Sequence, residues 1–64
     1  MLRIRLLQEG RIVETIDAKW TLDITEIAAE ADKLGPQYDA DDWEVVNETD
    51  MQVLTKERWT SLRR

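Results

Sequence analysis

An apolar stripe with the period of an α-helix runs through the middle of the chain. The residues that recur at intervals of three and four positions are Ile24, Ile27, Ala28, Ala31 and Leu34. A helix with this pattern buries one face against the rest of a domain. Gly35 and Pro36 follow directly. A glycine in the left-handed conformation and a proline that cannot continue the helix predict its end at this point.

The start of this helix has signals of its own. Asp23 is suited to the N-cap, because its carboxylate can accept the free N–H groups of the first turn. Glu26 stands three residues later and completes a capping box with Asp23. Leu22 and Ile27 have the spacing of a hydrophobic staple, in which residues on either side of the cap pack together. The sequence therefore predicts a helix of about three turns that begins after Asp23.

The first third of the chain predicts a β-hairpin. Apolar and charged residues alternate from Met1 to Leu7, which is the period of a half-buried strand. Residues 11–18 form the return strand. Between them, Gln8-Glu9-Gly10 predicts a three-residue loop, because this loop length places Leu6 opposite Ile12 and keeps the apolar residues of both strands on one face.

One acidic residue interrupts the apolar face of this hairpin. Glu14 falls opposite Ile4 under the predicted register. Two outcomes are open: a bulge turns Glu14 outward, or its side chain lies at the margin of the core. A lone carboxylate in an amphipathic strand is typical of a solvated or paired edge residue, so Glu14 is not interpreted as a catalytic group.

A second hairpin is predicted from residues 43–46 and 51–54, which flank the polar turn 47–50. The side chains expected on its apolar face are those of Trp43, Val45 and Val53. A helix that starts at Asp50 is the alternative, because several of the later apolar residues also fit a helical period. The strand is preferred because Thr55 provides a separate N-cap for a last helix.

These elements follow one another in the order ββαββα. They predict an α+β fold: a small two-layer domain in which the central helix packs across an antiparallel sheet made of two β-hairpins, with a short helix at the C-terminus. Trp20, in the connection before the central helix, is expected to cover one end of the core. The chain has no linker or low-complexity segment, which indicates a single domain over residues 1–64.

Composition narrows the chemistry that this domain can perform. The chain has no Cys and no His, so the commonest metal ligands and the commonest general base are missing. Asp39, Asp41, Asp42 and Glu44 form the densest acidic cluster, but Glu44 occupies the position at which a calcium-binding EF-hand loop requires Gly. No cofactor or metal is expected. An enzyme is disfavoured because no nucleophile has an evident activator.

The net charge of −5 is unevenly distributed along the chain. Residues 1–11 sum to +2, residues 12–50 to −10 and residues 51–64 to +3. Two explanations are open. Either the basic ends pair with the acidic middle inside the domain, or the middle forms an acidic face that docks on a basic partner.

The second explanation leads to a functional hypothesis. The sequence predicts a non-catalytic, regulatory or inhibitory protein that binds a protein partner with a basic surface, and one class of such partner is a nucleic-acid-binding protein. The carboxylates expected to form the binding surface, on the central helix and the loop after it, are those of Glu26, Glu30, Asp32, Asp39, Asp41, Asp42 and Glu44. Like charges one helical turn apart disfavour a helix slightly. A surface that tolerates them is either solvated for its own sake or shaped to meet Lys and Arg side chains on a partner.

The alternative hypothesis is an accessory nucleic-acid-binding protein. The basic residues of the C-terminal helix that would contact phosphates are Lys56, Arg58, Arg63 and Arg64. The negative net charge opposes contact with a polyanion, so direct binding to nucleic acid is disfavoured. No apolar run approaches the length of a membrane span and no secretory signal begins the chain, so a cytoplasmic protein without membrane contact is expected. A homodimer is left open.

Overall fold

The first strand, with its alternating apolar residues, lies in the interior of a four-stranded sheet. The computed structural model describes residues 1–62. In it, β1 (Leu2–Gln8) pairs with β2 (Arg11–Ala18) on one side and with β3 (Asp42–Val46) on the other, and β3 pairs with β4 (Gln52–Thr55). All three pairings are antiparallel, and the strand order is β2-β1-β3-β4. The edge strands are therefore β2 and β4.

Two helices cover one face of this sheet. The longer one, α1 (Ile24–Leu34), is the predicted amphipathic helix, and α2 (Lys56–Leu62) follows β4 without a connecting loop. The order ββαββα and the α+β class are thus confirmed. The buried apolar residues of the core are Ile4, Leu6, Ala18, Ile27, Ala28, Ala31, Trp43, Val45 and Leu54. The opposite face of the sheet, which we call the open sheet face, carries the side chains that alternate with them.

The start of α1 confirms the predicted cap and corrects its surroundings. The carboxylate of Asp23 accepts the N–H of Thr25 at 2.9 Å. The N–H of Asp23 donates to the hydroxyl of Thr21 at 3.0 Å, and this bond takes the place of the reciprocal one predicted from Glu26. Leu22 is 83% exposed, so the predicted hydrophobic staple is wrong. The helix begins where its N-cap predicts without needing apolar contact before the cap.

The end of α1 differs from the predicted glycine stop. Gly35 has right-handed dihedral angles, φ −46° and ψ −57°, and the chain continues into a 3₁₀ turn over Gly35–Tyr38. Pro36 lies in the first turn of this segment, where its missing N–H leaves no hydrogen bond unmade. The left-handed residue is Asp39, with φ 56°. Asp is one of the few residues other than Gly that adopt this conformation readily.

The first hairpin has a shorter loop than predicted. Glu9 and Gly10 both have positive φ, 51° and 82°, and Gln8 pairs with Arg11, so the loop has two residues. Positive φ at both loop residues is the signature of the turn that best matches strand twist. The register then shifts between Leu6 and Leu7, which leaves Val13 as the extra residue of a β-bulge.

This bulge decides the position of Glu14. Leu6 faces Glu14 and Leu7 faces Ile12, so the predicted pairing of Leu6 with Ile12 is wrong. Glu14 is half-buried and lies opposite a core residue, at the margin of the apolar face. Of the two outcomes left open by the sequence, the second is observed.

The second hairpin also contains a bulge. Val45 faces Leu54 and Val46 faces Gln52, so Val53 is the extra residue on β4. Leu54 is buried and takes the core position, whereas Val53 is 39% exposed, which corrects the prediction that Val53 shares the apolar face. The alternative of a helix from Asp50 is wrong, because β4 occupies that segment.

The C-terminal helix is capped and anchored as a separate element. The hydroxyl of Thr55 accepts the N–H of Arg58 at 3.1 Å, which confirms the predicted cap. Trp59 packs edge-on against Trp43, with ring centroids 5.7 Å apart. Trp20, by contrast, is 52% exposed, so the prediction that it covers the core is wrong. Trp59 covers Trp43 from the helical side instead.

Candidate functional site

Ion pairs collect on the open sheet face. The Arg3 and Arg5 guanidinium groups lie 2.9 and 2.8 Å from the same carboxylate oxygen of Asp50. Arg5 also lies 3.6 Å from Glu44, whose other oxygen accepts a hydrogen bond from Gln52 at 3.1 Å. The first explanation of the charge pattern, pairing of the basic N-terminal segment with the acidic middle, therefore accounts for these two acids.

Glu44 does not lie with the other predicted binding residues. It alternates with the buried residues Trp43 and Val45, so its side chain projects to the open sheet face, away from α1. Its carboxylate is partnered there by Arg5 and Gln52. We therefore define the helix-and-loop surface by the remaining six acids, which are Glu26, Glu30, Asp32, Asp39, Asp41 and Asp42. Asp42 alternates with Trp43 as Glu44 does, but it is the first residue of β3, directly after the loop, and we keep it with the loop for that reason.

The loop part of this surface is tied to the tip of the first hairpin. The N–H of Asp41 donates to the carbonyl of Leu7 at 3.0 Å, and the carboxylate of Asp41 accepts the N–H of Glu9 at 3.4 Å. The side-chain amide of Gln8 donates to the carbonyl of Asp39 at 3.1 Å. These bonds hold the loop in one place and bring the acidic side chain of Glu9 to the same end of the sheet.

Glu9 was not predicted as part of the surface, because in the sequence it belongs to the basic N-terminal segment. It joins the loop because β1 and β3 are antiparallel neighbours, which sets the tip of the first hairpin beside the residues that precede β3. The sequence indicates only that the loop of the first hairpin contains an acid. It does not indicate that β1 and β3 are neighbours, and that strand order is needed to place Glu9 beside the loop before β3.

The helical part of the surface contains two kinds of carboxylate. Glu26 and Glu30 lie one turn apart on α1, and Glu26 is exposed. Asp32 is half-buried, and its carboxylate accepts the indole N–H of Trp43 at 3.3 Å. Asp32 thus satisfies the polar atom of a core tryptophan, which gives it a structural role whatever else it contacts.

Within residues 1–62, none of the six carboxylates of the helix-and-loop surface has a cationic group within 4.0 Å. The ion pairs of this part of the chain join Arg3, Arg5 and the N-terminal ammonium to Glu44, Glu48 and Asp50. The pKa of Glu48 lies below its ordinary value, chiefly because its carboxylate accepts a backbone N–H and further because the N-terminal ammonium lies beside it. Charge compensation is therefore concentrated away from α1.

The basic residues of the alternative hypothesis are partly used inside the domain. The ammonium of Lys56 donates to the carbonyl of Asp41 at 3.1 Å, and Trp59 packs on Trp43. Arg58 is exposed on α2. Arg63 and Arg64 lie outside the described residues. The described part of α2 thus presents Arg58 as an exposed cation, next to an aromatic ring that is partly buried and packs against the core.

The ion pairs of Asp50 give a first testable prediction. Asp50→Asn keeps a residue that tolerates the positive φ of 63° but removes the charge that faces Arg3 and Arg5. Because these groups are partly exposed, we expect a loss of about 1 kcal/mol or less in the free energy of unfolding. Urea unfolding at low salt measures the loss, and high salt should reduce it by screening.

Asp39→Asn is the matched control for this variant. Asp39 also has positive φ, and no cation lies within 4.0 Å of its carboxylate among the described residues. Its unfolding free energy should not fall. Equal losses for the two variants would show that the ion pairs of Asp50 do not stabilise the domain.

Among residues 1–62, no group of three or more acidic side chains is placed to hold a metal ion. None of the helices in this range has the length and apolar character needed to cross a membrane. No family model matches the chain, and searches among curated proteins and among solved structures find no match either.

Proposed function

We propose that this chain is a non-catalytic regulatory or inhibitory protein that binds a basic surface of a partner protein through its helix-and-loop surface. One observation carries the proposal: the cations of β1 neutralise acids on the open sheet face, while the six carboxylates of the helix-and-loop surface have no ion pair within residues 1–62. An acidic surface whose carboxylates make no ion pair is the kind that attracts a cationic partner.

The arrangement of the carboxylates supports binding by electrostatic steering. Glu26 and Glu30 repel each other mildly along α1, and Asp39, Asp41 and Asp42 follow at the end where the helix stops. Potentials of neighbouring charges add over a Debye length of about 8 Å at physiological salt. A partner with Lys and Arg side chains would be drawn to this surface, and its association rate would fall as salt is raised.

The class of partner follows from the chemistry of the surface. Carboxylates presented in sequence along a helix and a fixed loop offer negative charge as the phosphates of a nucleic acid do. A protein that binds phosphates with Lys and Arg therefore provides a matching surface, and occupation of that surface would inhibit it. The chain itself supplies no His or Cys for catalysis. The cytoplasmic location expected from the sequence stays a prediction.

The functional test compares two double variants that each remove two negative charges. Asp39→Asn with Asp42→Asn changes the helix-and-loop surface. The amide at position 39 tolerates positive φ, and the amide at position 42 can still accept the N–H of Trp43. Asp17→Asn with Glu48→Gln makes the same charge change on β2 and in the turn between β3 and β4. After capture of a partner from the native host, surface plasmon resonance at two salt concentrations gives both rate constants.

We expect the first double variant to associate several-fold more slowly at low salt, with a smaller difference at high salt. The dissociation rate should change less than the association rate. The second double variant should associate at close to the wild-type rate. If both variants slow association equally, net charge rather than this surface governs binding. If neither does, the interface lies elsewhere and the proposal is wrong.

A further inference from the structure

We propose that Glu14 closes the β2 edge of the sheet, so that a second copy of this chain cannot extend the sheet there. β2 is an edge strand of eight residues, longer than the four-residue edge strand β4. An edge strand presents N–H and C=O groups that a further strand can pair with. Ile12 and Val13 are exposed on β2, which adds apolar surface to this template. Without protection, β2 would be the natural place for self-association.

The side chain of Glu14 lies where an added strand would cover it. Glu14 faces Leu6, a buried core residue, and is itself only half-buried because no strand lies beyond β2 within residues 1–62. No cationic group of this range lies within 4.0 Å of its carboxylate. A strand added to β2 would remove this carboxylate from water without giving it a partner, and burial of an unpaired charge is strongly unfavourable.

The carboxylate of Glu14 also accepts a hydrogen bond from a backbone N–H of the same strand. Its Oε1 accepts the N–H of Thr15 at 3.0 Å. An N–H that already donates to a carboxylate is not available to the carbonyl of an incoming strand. Strand addition would therefore have to break a charge-assisted hydrogen bond, which is stronger than a bond between neutral groups.

The β-bulge adjoins Glu14 and acts in the same direction. Val13 has no partner residue on β1, and the register shift at this point bends the strand away from regular pairing. β4 is protected in a similar way, since it has four residues and a bulge at Val53. Both edges of the sheet thus carry a bulge, and β2, the longer edge, carries an inward-facing acid as well.

Closure of the β2 edge does not depend on the proposed function, because the helix-and-loop surface lies on α1 and the loop that follows it. The sequence leaves a homodimer open. The closed edge predicts that two copies of the chain do not dimerise through β2. The acid that interrupts the apolar pattern of the first hairpin then has a physical reason to be there.

Glu14→Val is the variant that tests the role of this residue. It removes the carboxylate and supplies a β-branched side chain that suits an edge strand. Sedimentation velocity over a range of protein concentrations should show a monomer for the wild type and concentration-dependent dimers or larger species for the variant. Hydrogen exchange of the Thr15 amide should become slower in the associated variant, because that N–H would then pair with another chain.

Asp17→Val is the matched control on the same strand. It loses the same charge and gains the same side chain, but Asp17 faces Arg3 on the open sheet face. The control should stay monomeric. Glu14→Thr, which is neutral but polar, should associate as Glu14→Val does, and it provides the test if the valine variant does not fold. A folded neutral variant that stays monomeric, equal association of the Asp17 control, or a wild type already paired through β2 would overturn the proposal.

Discussion

Trp43→Ala is expected to remove a large part of the free energy that keeps this domain folded. The side chain of Trp43 is 2% exposed, donates its indole N–H to Asp32 and packs against Trp59. Truncation of a buried tryptophan costs about 3–5 kcal/mol. Total stability for a domain of this length is about 3–10 kcal/mol, so the loss removes much of it. Urea unfolding followed by far-ultraviolet circular dichroism measures the difference.

Trp20→Ala provides the comparison for this variant. Trp20 is the same residue type but is half exposed in the connection before α1. Its truncation should lower the free energy of unfolding by much less than that of Trp43. If the two variants lose similar stability, the assignment of Trp43 as the central core residue is wrong.

Ile27→Ala should have the second-largest effect. Ile27 is fully buried (0% exposed) on the face of α1 that covers the sheet. Removal of its side-chain carbons leaves a cavity between helix and strands, at a cost of about 2–5 kcal/mol. Thermal unfolding should show a transition far below that of the wild type, because a small domain has a small unfolding entropy and its midpoint shifts strongly.

Leu22→Ala is the control for the helix variant. Leu22 is apolar like Ile27 and close to it in the sequence, but its side chain is in solvent. Substitutions at exposed positions usually change stability little, so its unfolding midpoint should stay within about a few degrees of that of the wild type. An unchanged midpoint for Ile27→Ala would place the buried face of α1 elsewhere.

The sequence predicts the elements of this fold better than their register. Side-chain alternation reports which face a strand residue occupies, so the hairpins and the stripe of α1 can be identified. It does not report register, because a shift by two residues leaves every side chain on the same face. A two-residue loop followed by a bulge at Val13 therefore keeps residues 14–18 on their predicted faces, whereas Ile12 moves opposite Leu7, to the open sheet face, and is 52% exposed. The register of Leu6 was wrong although its burial was right.

The candidate site shows a different limit of sequence-based prediction. The position of Glu44 between Trp43 and Val45 indicates that it projects away from the core, and so away from α1. Its pairing with Arg5 requires knowledge that β1 and β3 are neighbours. The same knowledge is needed to bring Glu9 to the loop. Strand order is set by packing over the whole domain, and no local pattern in this chain encodes it.

The packing of Trp59 on Trp43 has a spectroscopic consequence. The two indole rings lie 5.7 Å apart with their planes at 61°. Excited states of two indole rings at this separation and angle couple with each other. This exciton coupling produces a pair of bands of opposite sign in the ultraviolet circular dichroism spectrum. None of the described residues of α2 is fully buried, so its docking depends heavily on this ring contact. This pair of bands therefore reports, without any added label, whether α2 is docked on the core.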